Sequence, residues 1–195
     1  ALMQGLADGY FILPYTIGNY LSTTDLNLDI KHENYQRAKE NCSQNIEKLL
    51  SIQGTQTVDD LHKELGKIMW DNVGMSRNKK NLEKTLNILP KLKEKFWNDV
   101  NIPGGSMGLN SELEKAGRLA DFIELGELMA RDALNRNESC GGHFREEFQT
   151  DENEAKRDDE KYNHVSAWEY NKDQAKLHQE KLNFDNVKLS IRSYK

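Results

Sequence analysis

Four successive stretches of this chain repeat their apolar residues at helical spacing, with short polar breaks between them. That pattern constrains the fold more than any other feature, because every such stripe has to be buried against another element. The first runs from residue 34, with Tyr35, Ala38, Cys42, Ile46 and Leu49 on one face, and Gly54 closes it. The second carries Val58, Leu61, Leu65, Ile68 and Met69. Thr57 stands as its N-cap with Asp60 three residues on, and the helix ends around Val73 and Gly74. The third, residues 78–99, carries Leu82, Leu86, Leu89, Leu92 and Phe96; Pro90 in its interior removes a backbone donor and predicts a kink. The fourth, residues 110–135, carries Leu113, Ala116, Ala120, Ile123, Ala130, Ala133 and Leu134, with Ser111 at its start. Small residues near its end leave room for a close neighbour. Short loops between these helices predict a mainly α fold: an antiparallel three- to four-helix bundle with an extended, short-β tail at the C-terminus.

Composition suits that fold. The chain is 36% hydrophobic and 30% charged over 195 residues, the balance that one buried stripe per helix produces. Its net charge of −5 comes from 27 basic and 32 acidic residues that are mixed along the chain, so nothing points to nucleic acid. Two cysteines far apart in sequence fit a reduced, cytoplasmic protein better than a disulfide framework. Cys42, on the apolar stripe, reads as a small buried hydrophobe.

Residues 137–159 concentrate the unusual chemistry. Gly141 and Gly142 follow the last helix and let the chain turn sharply. His143, Arg145 and Glu147 then alternate with Phe144 and Phe148, as in a short strand that buries aromatics on one face and lays out charges on the other. Arg157, Asp158 and Asp159 add a cation and two carboxylates a short loop away. Three readings fit: a solvated turn, an ionic joint between two parts of a larger protein, or a metal or thiol site at Cys140-x-x-His143. Zinc needs three or four ligands, and no second Cys/His pair lies near, so no metal is expected. In the tail, residues 164–170 and 187–192 alternate as short strands joined by a polar run over residues 171–181.

Residues 1–22 are the most apolar part of the chain, with Leu2, Met3, Leu6, Ala7, Tyr10 and Leu13 at helical spacing. Gln4, Asp8, Thr16, Asn19 and Pro14 argue against a membrane span. An uncapped apolar start of this kind looks like a fragment, and it is expected to pack into a groove of its own bundle or, preferably, against a second copy.

The run Glu138-Ser139-Cys140-Gly141-Gly142-His143-Phe144-Arg145, followed by Arg157-Asp158-Asp159, resembles a specific family signature. It is similar to E-S-R-G-x-H-x-R … R-D-D near the C-terminus of succinate dehydrogenase and fumarate reductase flavoprotein subunits. Cys140 takes the place of the usual arginine, and Gln149 stands near a usual proline. Met69-Trp70-Asp71-Asn72-Val73-Gly74-Met75, then Arg77, resembles the family's M-W-x-x-V-G-x-x-R segment. Ala1 and Leu2 match the end of its R-L-G-x-S/N-S-L stretch, and residues 1–21 read like a Bacteroidetes-type version of the helix that this stretch opens.

The resemblance implies a C-terminal piece of such a subunit. Residues 1–33 would be a remnant of the flavin domain, 34–137 a spectrin-repeat-like bundle, and 138–195 the motif loop and tail. Ala1 and Leu2 would border FAD in the full subunit. Glu138, His143, Arg145, Glu147, Arg157, Asp158 and Asp159 would form the domain joint. The dicarboxylate arginine and the flavin-linking histidine would lie upstream, leaving the chain alone flavin-free and silent, with no catalytic residue. Implied partners are an iron–sulfur subunit, which Trp168 and Tyr170 would help contact, and through it a cytochrome b anchor. The implied place is the cytoplasmic face of the bacterial inner membrane. An L-aspartate oxidase-like flavoprotein and a freestanding helical interaction module are the alternatives.

Overall fold

A computed structural model describes residues 2–25, 29–171 and 175–190. It comprises two compact units, Ala1–Asn45 and Ile46–Lys195. The first holds α1 (Leu2–Ala7), a π-helical turn (Asp8–Ile12), α2 (Leu13–Thr23) and most of α3 (Glu33–Ser51). The π turn falls immediately before Pro14, and within it the Leu13 N–H reaches back to the Asp8 carbonyl. Proline has no N–H and its ring crowds the preceding turn, so a locally widened helix accommodates it. Leu2, Leu6, Tyr10 and Leu13 are 88%, 52%, 72% and 55% exposed, so the burial expected for them is not supplied by the described residues of this unit. Ala1 lies outside the described residues.

Cys42 is exposed, contrary to its reading as a buried hydrophobe. Tyr35 and Ile46 on the same stripe are exposed too, and Leu49 in the last turn is the buried residue of α3. A stripe is buried only where a facing element covers it, and on α3 that coverage begins at its end.

In the second unit α4 (Val58–Val73), α5 (Lys79–Asp99) and α6 (Ser111–Asn135) each pack against the other two. Their starts are capped in one way. Thr57, Asn78 and Asn110 accept hydrogen bonds from the backbone N–H of Asp60, Asn81 and Leu113 at 3.1, 2.9 and 3.0 Å. Asn110, rather than Ser111, caps α6. Leu61, Leu65, Leu89, Phe96, Leu119 and Ile123 form the centre of the main core, and Val73, Leu82, Ala130 and Ala133 form a smaller cluster. Gly126 lets α6 approach α4 closely, since a Cβ there would lie 3.1 Å from the Met69 sulfur. The helix α5 continues through Pro90.

Two short parallel pairings fasten opposite ends of the bundle. At one end β1 (Gln56–Thr57), ahead of α4, pairs with β3 (Val100–Asn101), after α5. At the other, β2 (Ser76–Arg77), between α4 and α5, pairs with β4 (Phe144–Arg145), beyond α6. The start of α4 and the end of α5 therefore meet, as do the ends of α4 and α6 and the start of α5, which makes consecutive helices antiparallel.

Beyond the bundle, a short α7 (Asp159–Tyr162) leads into an antiparallel ribbon, β5 (His164–Glu169) with β6 (Lys176–Lys181), in register from His164↔Lys181 to Glu169↔Lys176. β5 was expected. β6 falls within the run read as a polar connector, while residues 187–190 form no strand and 191–192 lie outside the described residues. Ribbon pairing needs backbone partners and a turn of suitable length, not alternating side chains, so the polar run took the strand. No helix among the described residues is long and apolar enough to cross a membrane.

Candidate functional site: an ionic joint at the end of the bundle

The joint begins where α6 stops. The last carbonyls of a helix have no partner within it, and here the guanidinium of Arg145 supplies one. Its Nη1 donates to the carbonyls of Ala133 at 2.9 Å, Leu134 at 3.4 Å and Arg136 at 3.5 Å. Its Nε donates to Glu147 Oε2 at 3.1 Å, and the group lies 5.4 Å from the Phe148 ring centre. Arg145 is 1% exposed, the largest fully buried side chain of the described residues. Phe144 and Phe148 are half-buried and Glu146 and Glu147 exposed. This corrects the expected strand face: the cation went inward, because helix carbonyls needed donors more than the aromatics needed full burial. The strand itself is two residues long, since β2 offers no longer partner.

The turn ahead of it is built on Gly141. Cys140 and His143 exchange backbone hydrogen bonds, N–H to carbonyl, at 2.8 and 3.0 Å, with Gly141 at φ +59° in the first central position. Mirror-image two-residue turns require that left-handed conformation. The turn aims the His143 ring at two partners. Nε2 donates to the Arg136 carbonyl at 2.9 Å, and Nδ1 accepts from Arg77 Nη1 at 2.9 Å. Desolvation lowers the His143 pKa, and the cations Arg77, Arg145 and Arg136 lower it further against the opposing Arg136 carbonyl. His143 is a neutral ring in the Nε2–H form.

Buried carboxylate and hydroxyl groups bind the second charged run to the first. Glu138 accepts from Arg136 Nε at 2.7 Å and from the Asp158 N–H at 2.8 Å. The Ser139 hydroxyl donates to the Arg145 carbonyl at 3.1 Å and accepts its N–H at 2.8 Å, while the Ser139 N–H reaches the Lys156 carbonyl at 2.9 Å. Asp158 caps α7. Arg157 pairs with Asp159 through Nε and Nη2 at 2.8 and 2.6 Å and donates from Nη1 to the Ser190 carbonyl at 2.7 Å. Glu147 also accepts the Lys79 N–H at the start of α5. Desolvation raises the Glu147 pKa, but the hydrogen bonds from the Lys79 and Glu147 amides and from Arg145 outweigh it, and the net shift is downward.

Of the seven residues expected at the joint, Glu138, His143, Arg145, Glu147 and the Asp158 amide are linked by hydrogen bonds through Arg136, while Arg157 and Asp159 pair with each other. Arg77 and Arg136 were missed as members. Arg77 ended a recognised segment and donates through Nε to the Val73 and Gly74 carbonyls at 3.2 and 2.9 Å, capping α4 as Arg145 caps α6. Arg136 stands two residues before Glu138, close enough in sequence to have suggested a pair. Trp168 is tied locally, its Nε1 donating to Asp132 at 2.8 Å, whereas Tyr170 is exposed. Cys140 is partly exposed, and the described residues hold no cluster of three or more His, Cys, Asp or Glu placed for a metal ion.

Comparison with known proteins places the same residues in a family. A family model described as fumarate reductase flavoprotein C-term matches residues 62–194. The fumarate reductase flavoprotein subunit of Proteus vulgaris is 31% identical over 147 residues, 75% of this chain and 23% of that one. The succinate dehydrogenase flavoprotein subunit of Bacillus subtilis is 26% identical over 148 residues, 76% of this chain and 24% of that one. The chain spans about a quarter of the length of these relatives. Its fold matches a chain of E. coli quinol fumarate reductase with a TM-score of 0.70 at 23% identity, covering 85% of this chain and 28% of the other. A Mycobacterium smegmatis Sdh1 complex chain matches with a TM-score of 0.66 at 20% identity, covering 89% and 27%.

Proposed function

Because this chain belongs to the fumarate reductase flavoprotein C-terminal family, we propose that it works as the C-terminal helical domain of a flavoprotein that interconverts succinate and fumarate. The observation that carries this reading is the family match over residues 62–194, which contains most of the bundle and the whole joint. The longer protein would bind FAD, with Ala1 and Leu2 at its edge, and pass electrons to an iron–sulfur subunit held at the membrane by a cytochrome b anchor. Residues 1–33 would belong with the flavin domain, 34–137 with the bundle, and 138–195 would join the two, on the cytoplasmic face of the bacterial inner membrane. The exposed apolar helix α1–α2 supports that division, since a flavin domain would cover it.

In this reading the joint is mechanical. Arg145, His143 and Arg77 lock the ends of α4 and α6 to the start of α5, which gives the flavin domain a rigid surface to dock on. The chemistry belongs to the bound flavin and to residues outside this chain. No G-x-G-x-x-G occurs in the 195 residues, and the chain by itself would be flavin-free and silent.

The test is the gene product from its own host, captured with an antibody to the bundle. The reading expects a polypeptide about three times this length, since 147 matched residues make up 23% of the Proteus relative, carrying flavin and reducing a dye with succinate. A flavin-free product, or one that oxidises L-aspartate alone, would overturn it.

A further inference from the structure

We infer that His143 is a pH-operated latch: its neutral ring ties the connection between α4 and α5 to the end of α6, and protonation releases Arg77 and loosens the β2–β4 pair. The inference stands on which nitrogen does what. Nδ1 faces an arginine N–H at 2.9 Å and can hold it only by accepting, while Nε2 is already committed as donor to the Arg136 carbonyl at 2.9 Å. An imidazolium has two donors and no acceptor. Once charged, its Nδ1–H would point at another N–H, and the contact must break.

Neither partner can easily step aside. Arg77 is held through Nε by the Val73 and Gly74 carbonyls, and the His143 ring sits on the closed turn from Cys140. The charged groups that act on the ring are all cations: Arg77 from β2, Arg145 from β4, and Arg136 after α6. The carboxylates of the joint are spent elsewhere. Glu138 serves Arg136 and the Asp158 N–H; Glu147 serves Arg145 and the Lys79 N–H. Glu146 accepts from Ser76 and Asn78, and Asp132 accepts from Trp168. A proton arriving at His143 therefore meets three like charges and no counter-ion among these groups.

These charges set the direction of the pH effect. With the folded pKa below the ordinary 6.5, the opened joint binds more protons than the closed one. The latch is fully effective above pH 6.5 and is lost as pH falls through the lower, folded value. The effect begins near pH 6.5, above the ordinary range of carboxylates.

The experiment uses this chain with nitrogen-15-labelled histidines. Ring nitrogen shifts read the tautomer and the midpoint of His143, with the urea-unfolded chain as the reference. Amide exchange reads the Glu146 N–H, which donates to the Arg77 carbonyl across the β2–β4 pair at 2.8 Å. The Nε2–H form is expected at pH 7.5, with a midpoint below the ordinary 6.5 of the unfolded chain. Protection at Glu146 should fall by up to about tenfold per pH unit below 6.5 in the wild type. In His143→Gln it should stay level across the same window. An Nδ1–H tautomer, a midpoint at or above that of the unfolded chain, or identical protection profiles in the two proteins would overturn the latch. Should His143→Gln fail to fold, the tautomer and midpoint of the wild type decide the matter alone.

Discussion

Arg145 donates from Nη1 to the carbonyl of Ala133 at 2.9 Å, twelve residues back along the chain. One side chain thereby satisfies the open end of α6, and its backbone pairs with the α4–α5 connection in the same stroke. The joint has a keystone, and its removal leaves the Ala133 and Leu134 carbonyls without that donor.

Arg145→Ala is expected to destabilise the second unit by about 3 kcal/mol or more, as for other buried charged groups whose partners are left unsatisfied. Arg145→Lys should recover part of the charge but not the fork of donors. Urea unfolding of the three proteins checks this. A loss near zero would mean that water replaces the guanidinium without cost.

Glu147 carries a pH dependence of its own. Its folded pKa lies below the ordinary 4.5, so its contribution to stability is present above that value and is lost as pH falls through the folded one. Glu147→Gln should flatten the stability curve below pH 4.5 and leave the slope near pH 6 unchanged. Thermal melts from pH 3 to 7 read both.

Two glycines should respond oppositely to alanine. A Cβ on Gly54 would lie 2.0 Å from the Asp99 carbonyl carbon and oxygen, where backbone meets backbone. Gly54→Ala should cost about 1–3 kcal/mol through overpacking. Gly66, exposed within α4, has nothing within 4 Å of such a Cβ. Gly66→Ala should stabilise by about 0.5–1 kcal/mol by relieving the helix of its most flexible residue. Denaturation midpoints separate the two signs.

Trp168→Phe removes the hydrogen bond to Asp132 that pins β5 to α6. The expected loss is about 1 kcal/mol. Faster tryptic cleavage in the ribbon should accompany it, with the bundle intact. Unchanged cleavage would show that the ribbon is held by other contacts.

The apolar helix α1–α2 should make the chain self-associate when it is purified alone. Sedimentation equilibrium is expected to show dimers that revert to monomers on the double substitution Leu6→Asp with Leu13→Asp. Both residues are more than half exposed. A monomeric wild type at all concentrations would show that the exposed helix needs no second copy.

Local patterns in the sequence determined the bundle. Stripes with period 3.6 placed α4, α5 and α6 to within a residue or two, and Thr57 capped α4 as read, because helix formation depends on neighbours three and four positions away. The joint was legible as a place, from its glycines and clustered charges, but not as a geometry. Period-two alternation put Arg145 on a charged face, whereas the structure buries it completely. That outcome depends on where α6 leaves its last carbonyls in space, which no window of sequence around Arg145 contains. Cys42 and the second strand of the ribbon went the same way. An apolar stripe says which face would be buried if something covered it, and alternation says which residues would pair if a partner strand were present. Whether the cover or the partner exists is decided by tertiary contacts, since burial and strand pairing are properties of two segments rather than one.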